Sequence, residues 1–299
     1  MADYNFGKDG MFVNGVPVIG APLLDSSGTI YFCDGNSGND SNNGKSWSKA
    51  KKTLASVFAA SHADIARGAD RWARRNTIFI AGDSFTETLV MLPQKTDVIG
   101  VGSKDQFKNA CIRGNHAPVN AGVGCRLINV GFEPTTAADI MTLTSVCHGA
   151  EFIGCEFRAV GGATAVSAID TTACTEVKVL GCNFVGAFSG DVIDIGEGAV
   201  DGMRIIGNTI IGGANDGIVV TGTTTVTTGR LGLIADNTIY TVACTINDGD
   251  DDTFIISGNN LVSDAATGTA SLNVDTRFSA NNWITDASKA GPWPRLDDT

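Results

Sequence analysis

Asp170 and Asp194 each follow an isoleucine directly, in "SAID" and "DVID". If these segments are equivalent strands of adjacent coils with their aspartates outward, the two carboxylates stand about 5 Å apart, the separation a retaining glycosidase uses for its acid and nucleophile. The same pair can hold a cation, because like charges at that distance are otherwise unfavourable. Asp191 and Glu197 lie beside the second carboxylate. Another acidic group, Asp248, Asp250 and Asp252 in "NDGDDDT", sets acids at alternating positions like the first half of a calcium loop. The turn glycine and distal glutamate of the EF-hand pattern are missing. The loop "GNSGNDSNNG" is incomplete in the same way. The expectation is therefore no cofactor and no metal, with calcium as the open alternative, and a solvated acidic surface is the plain reading of all three groups.

Other chemistry finds less support. None of His62, His116 and His148 falls at a ligand spacing, and the eight cysteines include no CxxC. The N-terminal "MADYNFGKDG" lacks an apolar leader segment, so reduced thiols are expected rather than disulfides. No apolar run approaches the length of a membrane span. A formal charge of −11 argues against nucleic acid as a partner, which would need clustered Lys and Arg. The charge is uneven: Lys45 to Arg75 holds eight basic residues against two acidic ones. That segment reads as a solvated helical cap, with an anion site as the alternative.

The 299 residues that must carry these acids combine 43% hydrophobic content and 37 glycines with only 18% charged residues. That mixture predicts many short strands joined by tight turns. A repeat is visible: "LINVGF" ends at Phe132, "FIGCEF" at Phe157, "VLGCNF" at Phe184, "IIGNTI" at Ile210, "LIADNTI" at Ile239, "IISGNNL" at Leu261 and "FSANNW" at Trp283. The intervals are 25, 27, 26, 29, 22 and 22 residues, a period that signals a solenoid. A second apolar segment follows each motif, which gives two or three strands per coil. One such coil cannot offset the entropy of ordering its chain, at about 1–2 kcal/mol per residue, so coils must stack.

Stacking explains the polar residue inside each motif. Asn208, Asn237, Asn259 and Asn281 fall at one place in successive units, where their amides can hydrogen-bond along the column. Cys155 and Cys182 take that place in two earlier units, and Cys147 and Cys174 repeat the interval of 27, giving two short ladders of buried thiols. Ahead of the repeat, Ala50, Leu54, Val57 and Phe58 show helical spacing, with Ser46 or Ser48 as N-cap, and predict an amphipathic helix covering the first coil.

The segment from Tyr31 to about Ala60, with its Gly38–Gly44 loop, Trp47 and Lys52-Thr53-Leu54, followed by "NTIFIAGDSFTETLVM" and "TDVIGVGS", resembles the opening of pectin-lyase-like right-handed parallel β-helices. The likeness runs from about residue 29 to 283. It implies an all-β, single-stranded right-handed parallel β-helix of about 22–29-residue coils with an N-terminal capping helix. The division expected is an arm at 1–28, entry strand, loop and capping helices at 29–75, the β-helix at 76–283 and a tail at 284–299. Function does not follow from this fold, which hosts lyases, hydrolases, esterases and noncatalytic phage virion proteins.

Polygalacturonase-type members carry Asn-Thr-Asp, Asp-Asp and Gly-His-Gly on neighbouring coils. Here the Asn-Thr of "GNTI" and "DNTI" is followed by Ile, and His148 lacks such partners. Without a complete catalytic set, the resemblance implies a noncatalytic bacteriophage virion protein, a capsid decoration or cement protein. It would be a homotrimer bound to the major capsid protein or another virion protein, made in the host cytoplasm and located in the virion. The alternatives are a tailspike-type depolymerase using Asp170 and Asp194, or an adhesin binding cell-surface polysaccharide.

Overall fold

The computed structural model describes residues 28–67, 74–101, 110–159, 164–196, 201–220, 231–241, 246–248, 254–263, 272–274, 279–280 and 282–286, apart from Asp83, Ala121 and Ala173, and the backbone of three strands before residue 28. Those three, Tyr4–Gly7, Gly10–Val13 and Val16–Pro17, form a small antiparallel meander. The tail from residue 287 onward lies outside the described residues.

Among the described residues from Ile30 onward, the chain is a β-solenoid made of three parallel sheets of ten, nine and six strands. The first sheet begins with Ile30–Asp34 and Asn76–Ala81 and ends with Ser279–Ala280. The second runs from Ser84–Thr86 to Trp283–Asp286, and the third from Met141–Leu143 to Leu272–Val274. Six coils therefore contribute to all three sheets, so each has three strands, the upper end of the two or three expected. Every strand pairs with its counterparts one coil away, and equivalent residues lie over one another at the strand spacing of about 4.8 Å.

Alternation along such short strands sends one or two side chains inward per strand. In the second sheet Phe132, Phe157, Phe184, Ile210, Ile239 and Leu261 form one fully buried column. Its aromatic end is a face-to-face stack, with centroids 4.9 Å apart for Phe132–Phe157 and 5.0 Å for Phe157–Phe184. Phe152 of the first sheet meets Phe157 edge-on at 5.6 Å. The third sheet adds Ile169, Ile193, Ile218 and Ile246, all buried.

The bend from first to second sheet uses two residues. Its first position has positive φ in each of six coils: Asn129 (55°), Gly154 (58°), Gly181 (59°), Gly207 (68°), Asp236 (56°) and Gly258 (70°). At Gly207 an added Cβ would meet nothing within 4 Å, so glycine there answers the backbone angle alone. The second position is a buried column of Val130, Cys155, Cys182, Asn208, Asn237 and Asn259. Asn208 Nδ2 donates to Asn237 Oδ1 at 2.9 Å, Asn237 Nδ2 to Asn259 Oδ1 at 2.9 Å, and Asn259 Nδ2 to Asn282 Oδ1 at 3.0 Å.

The last rung corrects the sequence reading. Asn282, not Asn281, holds the ladder position, and Asn281 itself lies outside the described residues. Trp283 pairs with Asn260 and is 56% exposed, while Ile284 takes the register of Leu261. At its other end the ladder closes on Cys182, whose N–H donates to Asn208 Oδ1 at 2.8 Å. The thiols of Cys155 and Cys182 donate to the carbonyls of Leu127 and Phe152. Cys147 and Cys174 are buried in a separate column, with Cys174 Sγ on the Thr144 carbonyl.

A helix, α1 (Leu54–Arg67), buries Leu54, Val57, Phe58, Ser61 and Ile65. It starts later than the spacing of Ala50 suggests, because Ala50 is extended (φ −63°, ψ 147°) and Ser46 heads only a 3-10 turn, Trp47–Lys49, without a side-chain cap bond. Thr53 is the actual N-cap, its Oγ1 accepting the Ser56 N–H at 3.2 Å. The Glu87 carboxylate accepts the Leu54 and Ala55 N–H groups at 2.9 and 3.0 Å.

Candidate functional site

The third sheet carries the carboxylate pair. Asp170 and Asp194 are Cα partners on adjacent strands, Ile169–Thr171 and Ile193–Ile195, and each is the outward, half-buried residue between two buried ones. Outward neighbours along this column are Thr142 and Val219. The structure therefore brings the two predicted residues together. Burial first, then the charges of Asp139 and Asp194, push the Asp170 carboxyl up to about 6. A group so placed can hold a proton near neutral pH and deliver it, the property required of a general acid.

Asp139 was not singled out in the sequence because it precedes its strand instead of lying within it. Its Oδ1 accepts the Ser167 N–H of the next coil at 3.0 Å, and Asp191 Oδ1 accepts the Asp216 N–H in the same manner at 3.0 Å. These two acids thus bind the coil edge. Glu197, Asp250 and Asp252 lie outside the described residues, and only the backbone of Asp248 is described. Among the described residues no group of three His, Cys, Asp or Glu side chains is arranged to hold a metal ion.

Charged residues on the first sheet form a second outward column, in the order Asp97, Arg126, Glu151, Lys178, Arg204, one per coil. Arg126 clamps Asp97 with two bonds of 2.6 Å, Arg75 adds a third at 2.8 Å, and Lys178 Nζ meets Glu151 Oε1 at 2.6 Å. Asp97 is buried, so its two arginines compensate a charge that burial alone would strongly disfavour. These residues are about 25–29 apart in sequence, and only the coil register makes them neighbours.

His116 is buried, accepts the Leu89 N–H on Nδ1 at 3.1 Å and packs edge-on to Phe132. Burial lowers its imidazole to about 4. His148 Nδ1 binds the Thr175 hydroxyl at 2.8 Å. The seven described cysteines are free and buried, and burial pushes Cys174 up to about 12, which keeps it a protonated, unreactive thiol.

The second sheet turns apolar outward in its later coils. Val185, Ile211, Tyr240 and Val262 occupy one outward column, with Ile211 45% exposed. No helix among the described residues is long and apolar enough to cross a membrane.

Fold and surface together define a parallel β-solenoid with an acidic outward pair on one sheet, a ladder of ion pairs on another and an apolar column on the remaining one. Comparison with protein-family models, curated proteins and solved structures finds no match to any of them.

Proposed function

We propose that the chain is a noncatalytic structural protein of a bacteriophage virion, a capsid decoration or cement rod that works as a homotrimer. The observation that carries this reading is the outward column Val185, Ile211, Tyr240 and Val262. Four apolar side chains repeating along one line of a rod favour contact with other protein over water. Copies placed side by side and in the same direction bring these lines together at matching heights, as a closed symmetric assembly requires. The column supports association; the virion and the capsid partner rest on the resemblance of the entry segment. Sedimentation equilibrium of the full chain tests the assembly, with a trimer expected and a monomer for Ile211→Asp. A wild-type monomer at all concentrations would defeat it. Mass spectrometry of purified virions tests the location.

A second reading, a polysaccharide-cleaving enzyme, is favoured by one observation, the raised Asp170 carboxyl beside Asp194. Release of reducing ends or unsaturated product from capsular polysaccharide, with and without calcium, would establish it if Asp170→Asn abolished the release.

A further inference from the structure

The outward column of the first sheet alternates in sign until its last charged member: Asp97, Arg126, Glu151 and Lys178 are followed by Arg204, a second cation one strand spacing from the first. Beyond it the column becomes apolar at Leu233 and Ile255. Lys178 is joined to Glu151, while Arg204 is exposed and has no ion-pair partner among the described residues. An open cleft of about 410 Å³ lies at this break, lined by Glu176, Lys178, Gly202, Arg204 and Leu231.

Like charges on adjacent strands repel unless an anion lies between them. The geometry points to this cleft as a binding site for a small organic monocarboxylate, held by the Arg204 guanidinium with Lys178 beside it. A planar guanidinium offers two parallel donors to a carboxylate, which suits that group better than a point charge does. Glu176, also in the lining, repels a dianion such as phosphate more strongly than a monocarboxylate. Leu231 gives the carbon skeleton of the ligand an apolar wall, and Gly202 leaves that part of the lining without a side chain. The ladder of ion pairs would then be completed by the ligand instead of by the chain. This inference is independent of whether the rod is catalytic and of its oligomeric state.

Titration calorimetry and NMR of the full chain with glucuronate, butyrate and inorganic phosphate, at low salt, test it. The expected result is saturable millimolar binding of at least one carboxylate, weaker binding of phosphate, and about a tenfold loss in Arg204→Gln. Arg204→Lys should retain part of the affinity, and 0.5 M salt should weaken the wild type. The ratio of glucuronate to butyrate affinity tells a sugar acid from an aliphatic one. Unchanged melting curves show that the exposed variants remain folded. Tighter binding of phosphate, equal binding by Arg204→Gln, or no saturation by either carboxylate up to about 50 mM would overturn the assignment.

Discussion

Asn237 receives both the backbone N–H and the side-chain N–H of Asn208 on a single oxygen, Oδ1, each at 2.9 Å. Its own Nδ2 donates to the Ile205 carbonyl and to Asn259 Oδ1, both at 2.9 Å. The amide thus joins three coils at a place where water cannot reach, and it satisfies the one backbone donor that the two-residue bend leaves outside the sheets.

Replacing Asn237 with Ala removes every one of those bonds and strands the Asn208 N–H in the core. Each buried unsatisfied group costs about 1–3 kcal/mol, so Asn237→Ala should lose about 3–5 kcal/mol in denaturant unfolding. Cys182→Asn extends the ladder by one rung, with the Phe152 carbonyl, now met by the thiol, available to the new amide. That variant should stay within about 1.5 kcal/mol of wild type. Equal losses in the two variants would contradict the ladder as a source of stability.

The period, the ladder and the acid pair were legible because a solenoid stacks like on like, so spatial columns are written as intervals along the chain. What was misread has a physical reason in each case. In "SANNWI" both Trp283 and Ile284 are apolar, and alternation cannot tell which faces inward; the pairing of Trp283 with Asn260 settles it and moves the ladder from Asn281 to Asn282. The left-handed position is signalled by glycine in Gly154, Gly181, Gly207 and Gly258 but is concealed in Asn129 and Asp236, which adopt the same angle. Asp97 bonded to Arg126, Asp139 acting by its charge on Asp170, and Lys178 in register with Arg204 are relationships between different coils, and nothing local in the sequence marks these pairings.

His116 predicts a loss of stability in mild acid. Its folded value near 4 lies below the ordinary 6.5, so between these limits the unfolded chain binds the additional proton. Stability contributed by the neutral ring is present above about 6.5 and falls as pH drops toward 4, by about 3 kcal/mol in total. Urea unfolding from pH 7 to 4 should show this slope, and His116→Gln should flatten it. A slope unchanged in the variant would assign acid sensitivity elsewhere.

Asp170 acts with the opposite sign in an overlapping window. Its folded value near 6 lies above the ordinary 3.8, so the folded chain binds the additional proton between these limits, and stability falls as pH rises through them. Asp170→Asn should therefore stabilise the protein at pH 7, on the order of 1 kcal/mol once solvent screening of this half-exposed group is allowed for. Asp139→Asn removes a like charge and should move the Asp170 titration, followed by carboxyl carbon NMR, toward lower pH. No movement would show that burial and Asp194 set the value without Asp139.

Glu87 predicts local, not global, weakening. Its carboxylate accepts the first N–H groups of α1 from just beyond the opening strand of the second sheet, where its own N–H is bonded to the Arg113 carbonyl. A negative group at a helix N-terminus satisfies donors that have no partner within the helix and opposes the positive end of the helix dipole, together worth about 1–2 kcal/mol. Stability in a stacked repeat is a sum of local and nearest-neighbour terms, so a lesion at the cap should not travel far along the rod. In Glu87→Ala, hydrogen exchange at the Leu54 and Ala55 amides should accelerate about tenfold, while the Asn237 and Asn259 amides keep wild-type protection. Glu87→Gln, which retains one acceptor without the charge, should fall between. Faster exchange spread evenly over the helix and the asparagine ladder would instead mean that the rod opens as a single cooperative unit and that Glu87 is one of its general supports.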